Sequence, residues 1–521
     1  FGSRPFGLKP CRFKPPLGRK SSCSGMGGGR PCGSEGHCGC IDIEAVTRSG
    51  LCVGCGICES IAGRSVVEMQ LTPEGRTRPT VKGTIPDEDL AKIEACCPGH
   101  SISGPGWGSA SSWIRWPKSL QEIWRGDTPM VRSIVHPVFG PLHSWHRGWS
   151  TDEGLRWRAA AGGALTTLAR HLLETGQVEK VLHVRACRQD PTTTEAIISE
   201  SAESILSGCQ SRYGPAAPLV HVCRLLDEGA KFALVGKPCD VSAVRALGKV
   251  DPRVAAQIPY MLTIFCGGLP SRSAALEIAA FHGVSEQDIG LCRFRGHGWP
   301  GLMTIGRRSD GKEFGTTYNE TWKWAFNPLG PGAGIAYYDL QWRCKICPDA
   351  VGEVADISCP DGWTWSETQQ RYISEECGDP GQNLLLARTE RGERLLRECV
   401  EAGRLKLEQL TLAELEAIHR DHYPRKCSWP LRLLAMWLTP QPARLTVRGY
   451  RPGSALRNQV GTAGVLSLWA VFRGTLQRCL AQKNRETVMR PHCGGAAPER
   501  LGSVFLTPLV MPLKWMLGAL R

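Results

Sequence analysis

Three cysteines near residue 55 are spaced so that their sulfur atoms can share one metal centre. Cys52, Cys55 and Cys58 form a C-x2-C-x2-C run with glycine at positions 54 and 56. Thiolates at this spacing wrap one face of an iron–sulfur cubane, and glycines let the backbone approach its sulfides. Four thiolates also suit zinc, but zinc sites draw their ligands from paired hairpins. The run therefore predicts a 4Fe–4S cluster, with a zinc knuckle as the alternative.

A cubane needs a fourth ligand, and no thiol directly follows Cys58. The next Cys-Pro pair is Cys97-Pro98, after a predicted hairpin and a predicted helix over Asp87–Glu94. Because a Cys-Pro pair closes the bacterial ferredoxin run, we expect Cys97 to be the fourth ligand. Cys96 is the competing candidate.

Two later apolar runs each end in a cysteine. Residues 231–236 and 260–265 predict buried strands that deliver Cys239 and Cys266 into the turns at their carboxyl ends. Sites in α/β folds collect at such strand ends. Together with a later C-x2-C pair, these cysteines make a second candidate quartet: Cys239, Cys266, Cys344 and Cys347.

A glycine pair is a candidate phosphate-binding turn. Gly162 and Gly163 precede residues 165–174, which have apolar side chains at helical spacing. Glycines that open a helix expose free backbone N–H groups and the positive end of the helix dipole, where a cofactor phosphate binds. A simple turn is the alternative.

The elements that must position these groups alternate between helix and strand. A strand over 178–184 follows the helix of the glycine pair, and the alternation continues through 219–226, 232–235 and 271–281. Such a pattern is typical of an α/β fold.

Composition narrows the class of protein. The chain has 521 residues, of which 24 are cysteine and 42% are hydrophobic, and its net charge is +14. Cysteine is too sparse for a small disulfide scaffold and is common enough to indicate metal chemistry. The basic residues are spread along the chain, which argues against a nucleic-acid partner. No uninterrupted apolar run reaches the roughly 18 residues of a membrane span, so no transmembrane segment is expected.

The start of the chain has a different character. Its first 40 residues hold seven basic residues and one acidic residue among Gly, Ser and Pro. Such a composition cannot pack a core, so residues 1–44 are predicted to be a disordered basic leader. The expected location is the cytoplasm, or an organelle stroma or matrix if the leader is a transit peptide.

Eight short motifs occur in one order over roughly residues 45–440. They are the C-x2-C-x2-C of 52–58, Gly162-Gly163-Ala164-Leu165-Thr166, Ser211-Arg212-Tyr213, Val235–Asp240, Phe265-Cys266, Arg295–Gly301, Cys344-x2-Cys347-x-Asp349 with Ala355–Ser358, and Arg388–Gly392. In this order they resemble the coenzyme F420 hydrogenase/dehydrogenase beta-subunit family, whose relatives include a plant 7-hydroxymethyl chlorophyll a reductase.

The resemblance implies a flavoprotein with FAD and two 4Fe–4S clusters. The distal cluster would be held by Cys52, Cys55, Cys58 and Cys97, and the cluster nearer the flavin by Cys239, Cys266, Cys344 and Cys347. The residues implied for FAD are Gly162, Gly163, Thr166, Ser211, Tyr213 and Arg295. A positive charge at Arg295 would favour a reduced, anionic flavin, and His297 is the nearest candidate for a general acid. The alternatives are that Tyr213 only packs and that Arg295 only pairs with Asp349 or Asp356.

The implied architecture has an N-terminal ferredoxin-like 4Fe–4S segment over 45–105. An α/β domain over 106–440, with parts at about 150–230 and 231–440, would bind FAD and iron–sulfur around a mixed or parallel sheet. A helical C-terminal extension of unknown role would occupy 441–521.

Two functions follow from the resemblance. One is an oxidoreductase that passes electrons between a ferredoxin-like carrier and a two-electron substrate, such as coenzyme F420 or a hydroxymethyl-chlorophyll-like tetrapyrrole. The other is the electron-transfer beta subunit of a larger hydrogenase or dehydrogenase complex.

Two positions depart from the family pattern. Ala161 stands where the family often has Ser, which removes a hydroxyl but keeps the backbone N–H groups. Cys359 stands where the family tends to place glycine, and this spare thiol competes with Cys266 and Cys344 as a ligand.

Overall fold

The computed structural model describes residues 41–105, 134–322 and 339–450, apart from 367–370, 374–378 and 420–421, together with residues 472, 475 and 476. These residues belong to one compact unit. The predicted leader lies outside the described residues up to position 40, and so does most of the predicted extension over 441–521.

The described part of the chain has nineteen strands. They are β1 Val67–Leu71, β2 Thr77–Val81, β3 Ser101–Ser103, β4 Ile134–His136, β5 Gly140–Leu142, β6 Ser144–Ser150, β7 Lys180–Ala186, β8 Thr194–Ser199, β9 Phe232–Val235, β10 Tyr260–Thr263, β11 Ile289–Arg293, β12 Met303–Arg307, β13 Glu313–Thr316, β14 Ile357–Ser358, β15 Thr364–Ser366, β16 Arg371–Ile373, β17 Asn383–Ala387, β18 Leu405–Gln409 and β19 Thr446–Arg448.

Helices alternate with these strands over much of the same part. They are Ile43–Arg48, Ile57–Ala62, Asp87–Cys96, Glu153–Arg158, Ala164–Glu174, Ala202–Leu206, Val222–Asp227, Pro238–Leu247, Arg253–Gln257, Ser273–Phe281, the 3-10 turn Glu286–Asp288, Tyr318–Glu320, Trp342–Lys345, Glu390–Glu401, Leu412–Ile418 and His422–Trp437. Within the described ranges, no helix combines the length and the apolar character needed to cross a membrane.

The largest sheet has eight strands in the order β18-β6-β17-β14-β10-β9-β7-β8. Its central strands β7, β9, β10 and β14 run parallel to one another. Strand β8 at one edge and strands β17, β6 and β18 at the other pair antiparallel. The predicted α/β class is confirmed, and of the two predicted alternatives, mixed or parallel, the sheet is mixed.

Strands β9 and β10 are mostly apolar, as expected when both faces of a strand are buried. Phe232 and Leu234 of β9 pack into one core cluster with Met261 of β10. Ala233 and Leu262, which alternate with them, pack into a second cluster on the opposite face. A continuous apolar run is the sequence signature of such a strand.

The carboxyl ends of the parallel strands meet at one edge of the sheet. Because β9 pairs with β10 and β10 pairs with β14, the loops that follow these three strands are neighbours. Strand β6 ends at the same edge, where the backbone N–H of Ser150 donates to the oxygen of Gly162 over 2.7 Å. The glycine pair and the strand-end cysteines therefore lie along a single edge.

The core of residues 41–105 also contains side chains from residues 429–450, near the end of the described chain. Ile93 of the helix Asp87–Cys96 packs in one cluster with Trp429 and Tyr450. Strand β3 also pairs in parallel with β19. The first cysteine run and residues beyond 420 are therefore parts of one packed region.

Candidate functional site

The four cysteines of the second predicted quartet line one cavity. Cys239 lies in the first turn of the helix after β9, and Cys266 lies in the loop after β10. Cys344 and Cys347 lie in and just beyond the short helix Trp342–Lys345. The cavity between them has about 380 Å3 of unfilled space, including its opening to solvent. The structure therefore brings together thiols from three separate segments of the chain.

Three cationic side chains line the same cavity. They are Lys237, Arg343 and Arg425. The Arg425 guanidinium donates to the backbone oxygens of Cys266 and Cys344 over 3.0 and 3.3 Å. Cations around four thiols fit a group that is anionic when bound. Sequence reasoning missed all three, and only Lys237 lies within one of the motifs.

Asp240 holds the Lys237 side chain in place. Its Oδ2 accepts hydrogen bonds from the Lys237 ammonium over 2.7 Å and from the Lys237 backbone N–H over 2.9 Å. Burial opposes the charge on Lys237, but Asp240 and the neighbouring Cys239 hold its pKa above the ordinary value. Lys237 therefore stays cationic beside the thiols.

Two thiols of this cavity, Cys239 and Cys266, are protonated when nothing is bound. Burial raises the pKa of Cys239, and the nearby carboxylate of Asp240 adds to the shift. Burial also raises the pKa of Cys266 to about 12, with further repulsion from Cys344. Such thiols are poor nucleophiles, whereas metal binding can displace their protons. The arrangement is suited to ligation and not to nucleophilic catalysis.

Three cysteines of the first quartet, Cys52, Cys58 and Cys97, pack against one core cluster. Burial raises the pKa of Cys97 to about 11, followed by repulsion from the neighbouring Cys52. Burial likewise raises the pKa of Cys55 and Cys58, and in both cases Cys97 contributes as a neighbouring charge. These interactions join the three thiols of the C-x2-C-x2-C run to Cys97.

Two glycines shape the loop of the first quartet. Gly54 has a φ of +73°, and its backbone N–H donates to the Cys52 sulfur over 3.4 Å. Gly56 has a φ of +85°, and a Cβ there would lie 2.5 Å from the side chain of Val220. Only glycine combines this left-handed backbone with so close an approach. The loop is therefore fixed by the residues between the cysteines.

The competing cysteines differ in their surroundings. Cys96 packs in the core cluster that also contains Cys55, while Cys97 packs with both Cys52 and Cys58 in the cluster of the N-terminal segment. Cys359 is buried with Cys399 in the core on the other face of the sheet and is not among the residues lining the cavity. The placement favours Cys97 over Cys96 and leaves Cys359 away from both quartets.

No three His, Cys, Asp or Glu side chains in the described ranges are grouped as a single metal ion would require.

The two quartets are neighbours. Val53, which lies between Cys52 and Cys55 in the chain, lines the cavity of the second quartet. The Gln341 side chain donates to the backbone oxygen of Val53 over 3.4 Å. The loop of the first quartet thus forms one wall of the second site.

The glycine pair forms a tight cradle at the start of the helix Ala164–Glu174. Gly163 is the N-cap residue with a φ of +74°, and a Cβ on Gly162 would lie 2.8 Å from the backbone nitrogen of Asn383. The Ala164 N–H donates to the Asn383 side-chain oxygen over 3.2 Å. Thr166 is half-buried in the first turn.

Arg295 lies in a buried aromatic pocket near this edge. Its Nη1 donates to Asp361 over 2.6 Å, and its guanidinium lies 5.1 Å from the ring centre of Tyr318 and 5.9 Å from that of Trp363. Burial opposes its charge, but Asp361 and the tyrosines hold the pKa of Arg295 above the ordinary value. Its Nη2 makes no hydrogen bond within the described residues. Asp361 thus takes the place of Asp349 and Asp356 as the ion-pair partner.

The other predicted flavin residues surround this pocket. The ring of Tyr213 packs against Phe294 and Trp322, with centroids 5.5 and 5.3 Å away, and its hydroxyl is close enough to Arg295 to influence it. Ser211 is half-buried two residues before it. His297 is exposed with a φ of 59°, so it lies at the surface of the loop that buries Arg295.

Backbone contacts tie the Arg295 loop to the glycine pair. A Cβ on Gly381 would lie 2.9 Å from Trp299 and 3.0 Å from the backbone of Ala161. The loop of Arg295 and the loop of the glycine pair therefore both pack against Gly381, with no room for a side chain between them. The candidate flavin residues are brought to one region, with Asn383 and Asp361 as members that sequence reasoning missed.

Two family models match this chain. The N-terminal model of the coenzyme F420 hydrogenase/dehydrogenase beta subunit matches residues 145–224, and the C-terminal model matches residues 229–412. The second quartet, the glycine pair and Arg295 lie within these matches. The first quartet and the helix His422–Trp437 lie outside them.

The chain is also similar to individual proteins. It is 24% identical over 261 residues to the F420-dependent formate dehydrogenase subunit beta of Methanocaldococcus jannaschii, covering 50% of this chain and 60% of that relative. It is 24% identical to the coenzyme F420 hydrogenase subunit beta of Methanococcus voltae, covering 50% of this chain and 82% of that one.

A solved chain in the F420-reducing NiFe hydrogenase complex of Methanosarcina barkeri is 18% identical, with a TM-score of 0.44, covering 61% of this chain and 99% of that one.

Proposed function

The chain belongs to the coenzyme F420 hydrogenase/dehydrogenase beta-subunit family, and from this membership we propose that it is an oxidoreductase that holds two 4Fe–4S clusters and FAD. It would pass electrons between a ferredoxin-like one-electron carrier and a two-electron substrate. Coenzyme F420 is the first candidate substrate because two relatives are named for it. A hydroxymethyl-chlorophyll-like tetrapyrrole is the second.

The observation that carries the proposal is the cavity of the second quartet. Four thiols and three cations from distant parts of the chain converge there, and the loop of the first quartet forms part of its wall. Thiolates are the ligands of 4Fe–4S clusters, and cations offset the negative charge that such clusters bear. The donor set of each quartet therefore fits a cluster.

The residues proposed for FAD also fit an anionic, aromatic ligand. The backbone at Gly162 and Gly163 would hold the phosphates at the start of a helix. The Arg295 guanidinium keeps one unpaired nitrogen inside a pocket walled by Tyr318 and Trp363. Its fixed charge, oriented by Asp361, would favour negative charge on the flavin ring.

Bound clusters supply single-electron transfer, and bound FAD joins it to two-electron chemistry. The roles left to this chain are to bind, orient and shield these groups. The buried thiols ligate, the cations set the local potential, and the aromatic side chains exclude water from the pocket. Exposed His297 is placed to exchange a proton with solvent near Arg295.

Purification without oxygen tests the proposal. We expect about eight irons per chain, from two cubanes, together with flavin absorption. The reduced protein should then pass electrons to one member of a panel holding the deazaflavin, ferredoxin and hydroxymethyl chlorophylls. A colourless protein that carries zinc and no flavin would overturn it.

A second candidate is an electron-transfer subunit of a larger complex. The names of the matched relatives favour it, since both are beta subunits of dehydrogenases or hydrogenases. This chain spans 60% of the length of the first relative, so the two proteins need not share all their partners. Size-exclusion chromatography of the native protein separates the candidates, because a subunit should elute with a larger catalytic chain.

A further inference from the structure

Arg343 lies between the two cysteine quartets. Its Nε donates to the backbone oxygen of Pro98, the residue after Cys97, over 3.0 Å. Its side chain also lines the cavity of the second quartet together with Cys347. One side chain therefore contacts a cysteine loop of the first quartet and forms part of the wall of the second.

The backbone of Arg343 makes a further connection. Its N–H donates to the oxygen of Gly50, two residues before Cys52, over 3.2 Å. Arg343 thus joins the start and the end of the first quartet's chain to the short helix that bears Cys344.

The charge of Arg343 is almost completely shielded from water. The residue is 1% exposed, and its Nη2 makes no hydrogen bond within the described residues. No carboxylate ion pair to it occurs among the described residues, and its titratable neighbours are the thiols of Cys347, Cys239 and Cys344. A buried, unpaired guanidinium nitrogen is costly unless a negative group faces it.

We propose that Arg343 is a positioning residue that holds the two clusters at a fixed separation and raises the reduction potential of both. The inference rests on the proposed function, because it needs a cluster in each quartet. When one electron moves between them, one side gains a negative charge and the other loses one, and no proton is transferred. The positive charge of Arg343 favours the reduced, more negative state of the cluster in each quartet. Burial strengthens this effect because little water is present to screen the charge.

Arginine suits this role better than lysine. Its planar guanidinium has donors pointing in several directions, so it can bond Pro98 and face Cys347 at once. Lysine keeps the charge but has a single, strongly hydrated ammonium. Replacement by lysine should therefore preserve the potentials more than replacement by an uncharged residue.

Arg425 provides a matched comparison. It is also buried and cationic, but its hydrogen bonds go to Cys266, Gly267 and Cys344, all in loops of the second quartet. Its removal should shift the potential of the second cluster alone.

The test is an anaerobic redox titration followed by electron paramagnetic resonance on the purified full chain. The variants are Arg343→Gln, Arg343→Lys and Arg425→Gln, each with its iron content measured. At a fixed potential we expect Arg343→Gln to lower the ratio of reduced to oxidised cluster about tenfold at both sites, a shift of about 59 mV for one electron. Arg425→Gln should lower it at one site, and Arg343→Lys should stay within about threefold of the parent.

The results separate this inference from the proposed function. A parent protein without iron contradicts the function itself. With iron present, unchanged potentials in Arg343→Gln, or a shift at one cluster only, overturn the role of Arg343. Arg343→Gln could lose its iron; in that case, reduction potentials in Arg343→Lys that match the parent still support a role for the positive charge. Iron loss in both variants overturns the proposed effect on the potentials and leaves Arg343 a purely structural role.

Discussion

Arg295 and Asp361 form an ion pair of 2.6 Å with side chains only 3% and 18% exposed. The pair joins the loop after β11 to the loop after β14. The carboxylate orients the guanidinium whose second nitrogen faces the aromatic pocket.

Replacing Asp361 with asparagine should leave the buried charge of Arg295 without its ion-pair partner. We expect Asp361→Asn to lower the free energy of unfolding by about 3 kcal/mol, since breaking a buried pair leaves Arg295 unpaired. Urea denaturation measures the change. The control is Asp310→Asn, whose pair with Arg307 is at the surface, so its loss should be much smaller. Equal losses in the two variants would contradict a special role for the buried pair.

The choice between Cys96 and Cys97 can be tested directly. Cys97→Ser should remove about four of the irons, because the first cluster loses a ligand. Cys96→Ser should keep the iron and lose about 1–3 kcal/mol of stability, because it places a hydroxyl in the apolar core. Iron content and visible absorption decide, and iron loss confined to the Cys96 variant would reverse the assignment.

The same comparison applies to the second quartet. Cys266 lines the cavity, whereas Cys359 lies in the core with Cys399. Cys266→Ser should therefore lose about four irons, while Cys359→Ser should retain the full content. Iron loss from the Cys359 variant, with Cys266→Ser intact, would show that the spare thiol is the ligand.

The glycine pair should be intolerant of a methyl group. In Gly162→Ala the new Cβ would lie 2.8 Å from the backbone nitrogen of Asn383, which cannot move aside easily. We expect a loss of about 1–3 kcal/mol of stability and a lower ratio of flavin to protein. In Gly154→Ala the nearest atom is 3.5 Å away, so that helical variant should be unchanged or slightly more stable. Full flavin content in Gly162→Ala would argue against the cradle.

Stability should fall in mild acid because of His183. This side chain on β7 is buried, with Nε2 2.7 Å from the Ser199 hydroxyl, and burial lowers its pKa to about 4. Between about pH 6.5 and pH 4 the unfolded chain binds a proton that the folded protein does not, so stability is lost as the pH falls. His183→Gln should lessen the loss between pH 7 and 4.5 by about 2 kcal/mol. Urea unfolding at both pH values measures it, and parallel losses in parent and variant would contradict the assignment.

The sequence could predict the strand-end cysteines because their positions follow from local pattern. The strands before Cys239 and Cys266, Phe232–Val235 and Tyr260–Thr263, are apolar apart from Thr263, as expected of strands buried on both faces. Adjacent parallel strands then bring their carboxyl ends together. Only topology was needed to place these two thiols side by side.

Other parts of the site depend on contacts that local pattern does not encode. Arg425 contacts the cavity from a helix that lies more than 150 residues beyond Cys266 in the chain. Asp361 and Arg295 lie in two different loops that are brought together by the fold. The choice of Cys97 over Cys96 depends on where a helix ends, since consecutive helical residues face about 100° apart. Boundaries of this kind are set by packing and not by propensity.

The pairing of β3 with β19 has a consequence for synthesis of the protein. Cys97 leaves the ribosome early, but the strand that flanks its loop and the side chains that complete its core come from residues 429–450. At 5–20 residues per second, this delay is roughly 20 to 70 seconds. During that interval the first quartet is an unfinished pocket with accessible thiols. Its metal centre is therefore best loaded after translation has nearly ended, and a cell must keep those thiols reduced until then.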